Sequence, residues 1–194
     1  MNRRTASAAA AAISAVSAFA AAAAQWPAGA GAALRRAAAS SASWRMERTP
    51  AGAAGPLVST GVVSCAVGTG IVWRALFPFE SSVEMRLDGM AFEDEDGRTF
   101  KPASAIPRYA SVVELVDALS EGDFSRVEAL FSVSEAETGP GGGWSLVLSP
   151  RSGELRRVAG SARLEGGVAP ERAVLEWADG SVADIRFEEA AVGE

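Results

Sequence analysis

Residues 55–89, GPLVSTGVVSCAVGTGIVWRALFPFESSVEMRLDG, carry the pattern that decides the fold. Apolar and polar side chains alternate through three runs, at about 57–67, 71–77 and 82–87, which is the period of strands with one dry face. Gly68-Thr69-Gly70 is short enough to close the first two runs into a hairpin with positive φ angles. In the third run Val83, Met85 and Leu87 point one way, and Glu84, Arg86 and Asp88 point the other.

The same period extends outward in both directions. Upstream, residues 43–49 alternate, with Trp44 and Met46 on one face and Arg45 and Glu47 on the other, so another half-buried strand is expected there. A short helix is expected before it, at about 32–39, where the chain reads as an alanine-rich run. Downstream, residues 90–100 read as a hairpin whose tip carries Glu93, Asp94, Glu95 and Asp96 before Gly97. These acids lack the alternating ligand pattern and distal Glu of a calcium loop, so a solvated turn is expected.

Beyond Pro107 the period changes to that of a helix. Val112, Val113, Leu115, Val116 and Leu119 mark one side of it, and Ser111 with Glu114 makes a capping box. A second short helix is expected at 124–131, with Val127, Leu130 and Phe131 as its apolar stripe. Strands resume at 132–137 and 144–148 across a glycine-rich connection, a helical turn or two is expected within 150–158, and further strands are expected near 161–165, 172–177 and 182–187. Asp179-Gly180 is the two-residue turn before the last of them. Sequential hairpins interrupted once by a pair of helices specify an α+β fold with the helices gathered on one face of an antiparallel sheet.

The first residues read as an export signal. Arg3 and Arg4 precede an apolar stretch at 8–19, and small residues follow at 20–24, so cleavage is expected after about residue 24, leaving 25–194 as one domain. The stretch is mostly alanine and falls short of the ~20 strongly apolar residues of a spanning helix. No cysteine lies near the cleavage region, so a soluble periplasmic protein without a lipid anchor is expected. Removing Arg3 and Arg4 leaves 16 basic side chains against 24 acidic ones, a net of −8, which disfavours nucleic acid as a partner.

With no histidine, Ser-His and Cys-His catalysis are excluded, along with the commonest transition-metal ligand. Cys65, the only cysteine, can form neither an intramolecular disulfide nor a zinc site by itself. It sits within an apolar run, where a buried small hydrophobe is expected. No enzyme, no metal and no cofactor is expected.

Particular spacings resemble a known family. Gly61 within a strand, Gly70 three residues before Trp73, four residues separating Trp73 from Pro78-Phe79, then Ser81 and Asp88-Gly89, look like the signature region of the LolA-like outer-membrane lipoprotein carrier proteins. The helix pair at 111–131, the strand at 144–148 before Ser149-Pro150, and the hairpin at Asp179-Gly180 follow that family's order. The resemblance covers about 32–188 and is nearest to a divergent branch associated with aryl-polyene or glycolipid export.

What the resemblance implies is a single strongly curved antiparallel sheet of about eight to eleven strands, an open half-barrel with helices covering its concave face. It implies a periplasmic carrier that holds the acyl chains of a lipidated cargo, a lipoprotein or a glycolipid, received from an inner-membrane exporter and released to an outer-membrane acceptor. A monomer is expected. Trp44, Met46, Ile71, Trp73, Val83, Met85 and Leu87 would form the cavity wall, and Val112, Leu115, Val116 and Leu119 the underside of the lid. A non-catalytic periplasmic sensor or adaptor of the same architecture is the alternative. In the family an arginine on the strand before the tryptophan hydrogen-bonds the lid; its place here is Val67, so a charge-assisted contact of roughly 1.5–3 kcal/mol is missing.

Overall fold

A computed structural model describes residues 27, 29–66, 70–106, 109–111, 113–114 and 124–189. The residues read as an export signal lie outside this set, as do Val67 and the positions 112, 115, 116 and 119.

After a helix α1 at Ala30–Ala37, six strands follow in hairpin succession. They are β1 at Ser41–Thr49, β2 at Leu57–Ala66, β3 at Gly70–Phe77, β4 at Ser81–Arg86, β5 at Gly89–Asp94 and β6 at Gly97–Pro102. Residues 109–111, 113 and 114 are helical, and helix α2 occupies Phe124–Leu130. The second series comprises β7 at Phe131–Thr138, β8 at Trp144–Pro150, helix α3 at Gly153–Ala159, β9 at Ser161–Gly166, β10 at Pro170–Glu176 and β11 at Val182–Glu189.

All eleven strands belong to one antiparallel sheet in the order β6-β5-β4-β3-β2-β1-β11-β10-β9-β8-β7. Each half is a meander, and β1 joins them by pairing with β11, with Trp44 opposite Phe187 and Met46 opposite Ile185. The outer strands β6 and β7 are not paired with each other, so the sheet is open. A twisted sheet of this width curls rather than lying flat. The expected architecture is the observed one, a large curved antiparallel sheet with few helices.

Alternation along the strands sets the core. Trp144, Leu146, Leu148 and Pro150 are buried on β8 while the residues between them are half-exposed, and Ala183, Ile185 and Phe187 repeat the pattern on β11. One apolar cluster draws buried side chains from ten of the eleven strands. Small residues let α1 lie close to β10, with Ala30, Ala33 and Leu34 buried, and Arg36 Nη1 donates to Val168 O at 3.2 Å beside it.

Several boundaries moved from their expected places, each for a local reason. Ser111 does not cap its helix, because residues 109–111 are already helical. Phe131 begins β7 rather than ending α2, since its pairing with Pro150 commits it to the sheet. The acidic hairpin turns at Glu95-Asp96 only, with Asp94 and Glu93 drawn into β5; Asp94 Oδ1 accepts from Asp96 N at 2.9 Å, closing the turn. The edge β7 is protected by a register shift that leaves Ser134 unpaired, and by Glu135 and Glu137.

On the outer face Arg172 grips Asp184 with two hydrogen bonds, at 3.0 and 2.9 Å, and reaches Glu165 at 3.4 Å. The Arg172 hydrogen bond holds the Asp184 carboxyl below its ordinary value against the opposing effect of burial, with the charges of Arg172 and Arg186 assisting. A carboxylate with a lowered folded pKa contributes stability above its unfolded value of about 3.9 and loses it as pH falls through the folded value. Asp184→Asn is therefore expected to lower urea stability by at most about 1 kcal/mol at pH 7, since the pair is partly exposed, and the difference from wild type should shrink on acidification below about pH 4.

Candidate functional site

Strands β1, β3 and β4 of the first meander bring six of the seven expected cavity-wall residues onto one face. Trp44 and Met46 come from β1, Ile71 and Trp73 from β3, Val83 and Met85 from β4, and all are buried, between 3% and 8% exposed. The cross-strand pairs Ile71–Met85 and Trp73–Val83 place them side by side. Phe187 and Met90 complete the group from β11 and β5, opposite Trp44 and Met85 respectively.

The centre of this face is an aromatic cluster. Trp44 and Trp73 stack with centroids 4.7 Å apart at 24°, and Phe187 meets Trp73 edge-on at 6.5 Å and 89°. Strand β2 runs between β1 and β3, and the stack bridges it over Gly61. A Cβ at position 61 would lie inside van der Waals reach of the Arg74 carbonyl oxygen and 2.6 Å from Trp44 Cζ2. The missing side chain is the gap through which the two indoles touch.

The second meander also lays a tryptophan over a glycine. Trp144 lies over Gly166, its cross-strand neighbour, where an added Cβ would stand 2.8 Å from Trp144 Cζ2. The Trp144 Nε1–H donates to Gly167 O at 2.8 Å. Trp44 differs in that its Nε1 is buried with no hydrogen-bond partner.

Leu87 stands apart from the other six. Strand β4 ends at Arg86, so Leu87 falls in the turn, 71% exposed. There it lines a separate open pocket of about 550 Å³ with Ala103, Tyr109, Ala110 and Val113, rimmed by Ser104, Glu114 and Arg126. Val112, Leu115, Val116 and Leu119, expected under the lid, lie outside the described residues. The position of the family's arginine, Val67, does too.

Sequence reading missed Tyr109, the only tyrosine. It is 2% exposed, and its hydroxyl accepts from Arg86 N at 3.0 Å and donates to Gly89 O at 2.5 Å, with Arg86 O also in reach. Burial pushes its phenol above the ordinary value and the Asp88 charge adds to this, while the Arg86 backbone bond opposes it, so the group stays a neutral donor. Tyr109 thus ties the helical residues 109–111 to the β4–β5 turn. Tyr109→Phe should lower unfolding free energy by about 1–3 kcal/mol, because it strands buried backbone groups; a chemical-denaturation midpoint unchanged from wild type would contradict this anchoring role.

Cys65 faces the same side as Ile71, its cross-strand partner, and burial pushes its thiol up to about 11. It is therefore protonated and unreactive at neutral pH. Among the described residues no group of three His, Cys, Asp or Glu is placed to hold a metal ion, and no helix is long and apolar enough to cross a membrane.

No family model matches the sequence, and no curated protein matches it. Solved structures similar to this chain include the Pseudomonas aeruginosa MucA/MucB complex, at 13% identity and a TM-score of 0.42 over 82% of this chain and 56% of that one. A LolA superfamily protein is among them. This is NE2245 from Nitrosomonas europaea, at 7% identity and a TM-score of 0.37 over 83% of this chain and 91% of that one. A DUF1329 family protein from Desulfovibrio piger is another, at 12% identity and a TM-score of 0.35 over 88% and 95% of the two chains. The chain spans little more than half of the MucA/MucB chain it matches.

Proposed function

We propose that this protein is a non-catalytic periplasmic carrier that shelters the acyl chains of a lipidated cargo on the apolar face of its open sheet, taking them from an inner-membrane exporter to an outer-membrane acceptor. The observation that carries this reading is the single apolar cluster spread over ten strands of a sheet whose edges never meet. An open sheet can widen to admit a guest, whereas a closed barrel of strands is held by its hydrogen bonds. Exposing a 16-carbon chain to water costs on the order of 10 kcal/mol at ~0.8 kcal/mol per methylene, so transit without cover would be very slow. Met46 and Met85 beside the indoles supply adaptable surface for a flexible chain.

A fluorescent fatty acid at micromolar concentration tests the reading. One probe per protein is expected, displaced by unlabelled lipid and weakened in a Met85→Asp variant that keeps its circular dichroism spectrum. No uptake by folded wild-type protein would sink it. A second reading, a sensor or adaptor, is favoured by a different feature: Leu57, Leu76, Phe77 and Phe79 stand 50–62% exposed at one end of the sheet. Their protection from hydrogen exchange or labelling by a protein partner, in the absence of probe uptake, would favour that reading.

A further inference from the structure

Buried polar groups in folded proteins are paired, and each exception calls for a physical reason. Among the described residues three buried side-chain polar atoms have no hydrogen-bond partner: Trp44 Nε1, Arg48 Nε and Glu128 Oε1. Two of these belong to groups with further polar atoms. Arg48 also lies over the Trp177 ring at 5.9 Å, and the Glu128 carboxylate has a second oxygen. The indole of Trp44 has one polar group only, a donor that can accept nothing in exchange.

Placing a tryptophan over a glycine does not force this outcome. Trp144 does the same over Gly166 and still finds the Gly167 carbonyl at 2.8 Å. The unmatched donor also sits at a particular place, on β1, the sixth of eleven strands and so the middle of the sheet. Its residue is 3% exposed, among Trp73, Phe187, Met46 and the backbone of Gly61. None of these neighbours carries a charge.

We infer that the Trp44 Nε1–H is the recognition point for a neutral carbonyl oxygen of the cargo, the ester or amide that joins an acyl chain to its head group. The inference rests on the carrier reading and narrows it to a substrate class. A donor-only group selects an acceptor, and a neutral carbonyl meets it without bringing a charge among the indoles, whereas a free fatty acid is held by its chain with the carboxylate left in water. The acyl junction would then lie at the middle of the sheet, with Met46 and Met85 giving way to it, rather than at the rim in water. Acylated lipids should be preferred over hydrocarbons of equal length.

The test uses full-length folded protein with two probes, methyl palmitate and n-hexadecane, each added from ethanol and each also tested for displacement of the fluorescent fatty acid. The indole N–H resonances are followed by ¹⁵N–¹H NMR. Methyl palmitate is expected to move the Trp44 indole proton downfield while the Trp144 proton stays put, and hexadecane is expected to leave both in place. In a folded Trp44→Phe variant, methyl palmitate should bind about tenfold more weakly relative to hexadecane than in wild type, the effect of one lost hydrogen bond. If both probes displace the fluorescent fatty acid and the Trp44 resonance does not move, the inference is overturned and the carrier reading stands. If neither displaces it, and the fluorescent probe itself does not bind, both fall. The wild-type spectra decide the matter even if the Phe variant does not fold.

Discussion

Gly61→Ala loses roughly 3 kcal/mol or more of unfolding free energy, an effect out of proportion to one added methyl group. The new Cβ would collide with the Arg74 carbonyl, a backbone atom that hydrogen-bonded pairing of β2 with β3 holds in place, and with Trp44 Cζ2 at 2.6 Å. A flexible side chain could swing away, but a carbonyl in a ladder cannot move without breaking the ladder. Trimming the tryptophan should therefore fail to rescue the variant, because the backbone clash persists. Gly55→Ala is the control: a Cβ there meets nothing within 4 Å, and its stability should stay within about 0.5 kcal/mol of wild type. Denaturant midpoints for the three variants check this, and a Gly61→Ala protein as stable as the Gly55→Ala control would refute the described stack.

Trp73→Ala carries the second large effect, a loss of about 3–5 kcal/mol. Trp73 is 4% exposed and holds the middle of the aromatic cluster, stacked on Trp44 and met edge-on by Phe187. Its removal leaves a void bounded by rigid rings that cannot readily collapse into it. The stack adds to burial, so a double-mutant cycle between Trp44→Phe and Trp73→Phe should return a coupling of about 0.5–1.5 kcal/mol. A coupling near zero would mean that the two rings merely share a neighbourhood.

The contrast between Trp44 and Leu87 shows what kind of site information strand periodicity carries. Alternation puts each on the dry face of its strand, and the resemblance makes that face the expected cavity wall. Trp44 lies three residues inside the nearer end of β1, and pairing on both sides keeps its face fixed. For Leu87 the strand stops one residue earlier, at Arg86, and a side chain in a turn no longer inherits the strand's face. Tyr109 was missed for a related reason: a single tyrosine ahead of a helix carries no periodic signal, and its three backbone partners lie about 20 residues upstream.

From the sequence alone came the elements and their faces: nearly every strand, the dry side of each, and the absence of chemistry that needs histidine. These follow from backbone pleat and side-chain polarity within a few neighbouring residues, so short windows contain them. The tertiary structure alone decided which faces meet. Ser43 and Glu188, 145 residues apart, lie on the two strands whose pairing fuses the meanders into one sheet. The gap at Gly61, the stack across it and the unmatched indole donor of Trp44 all arise from that register between strands, and register depends on contacts that no local window can see.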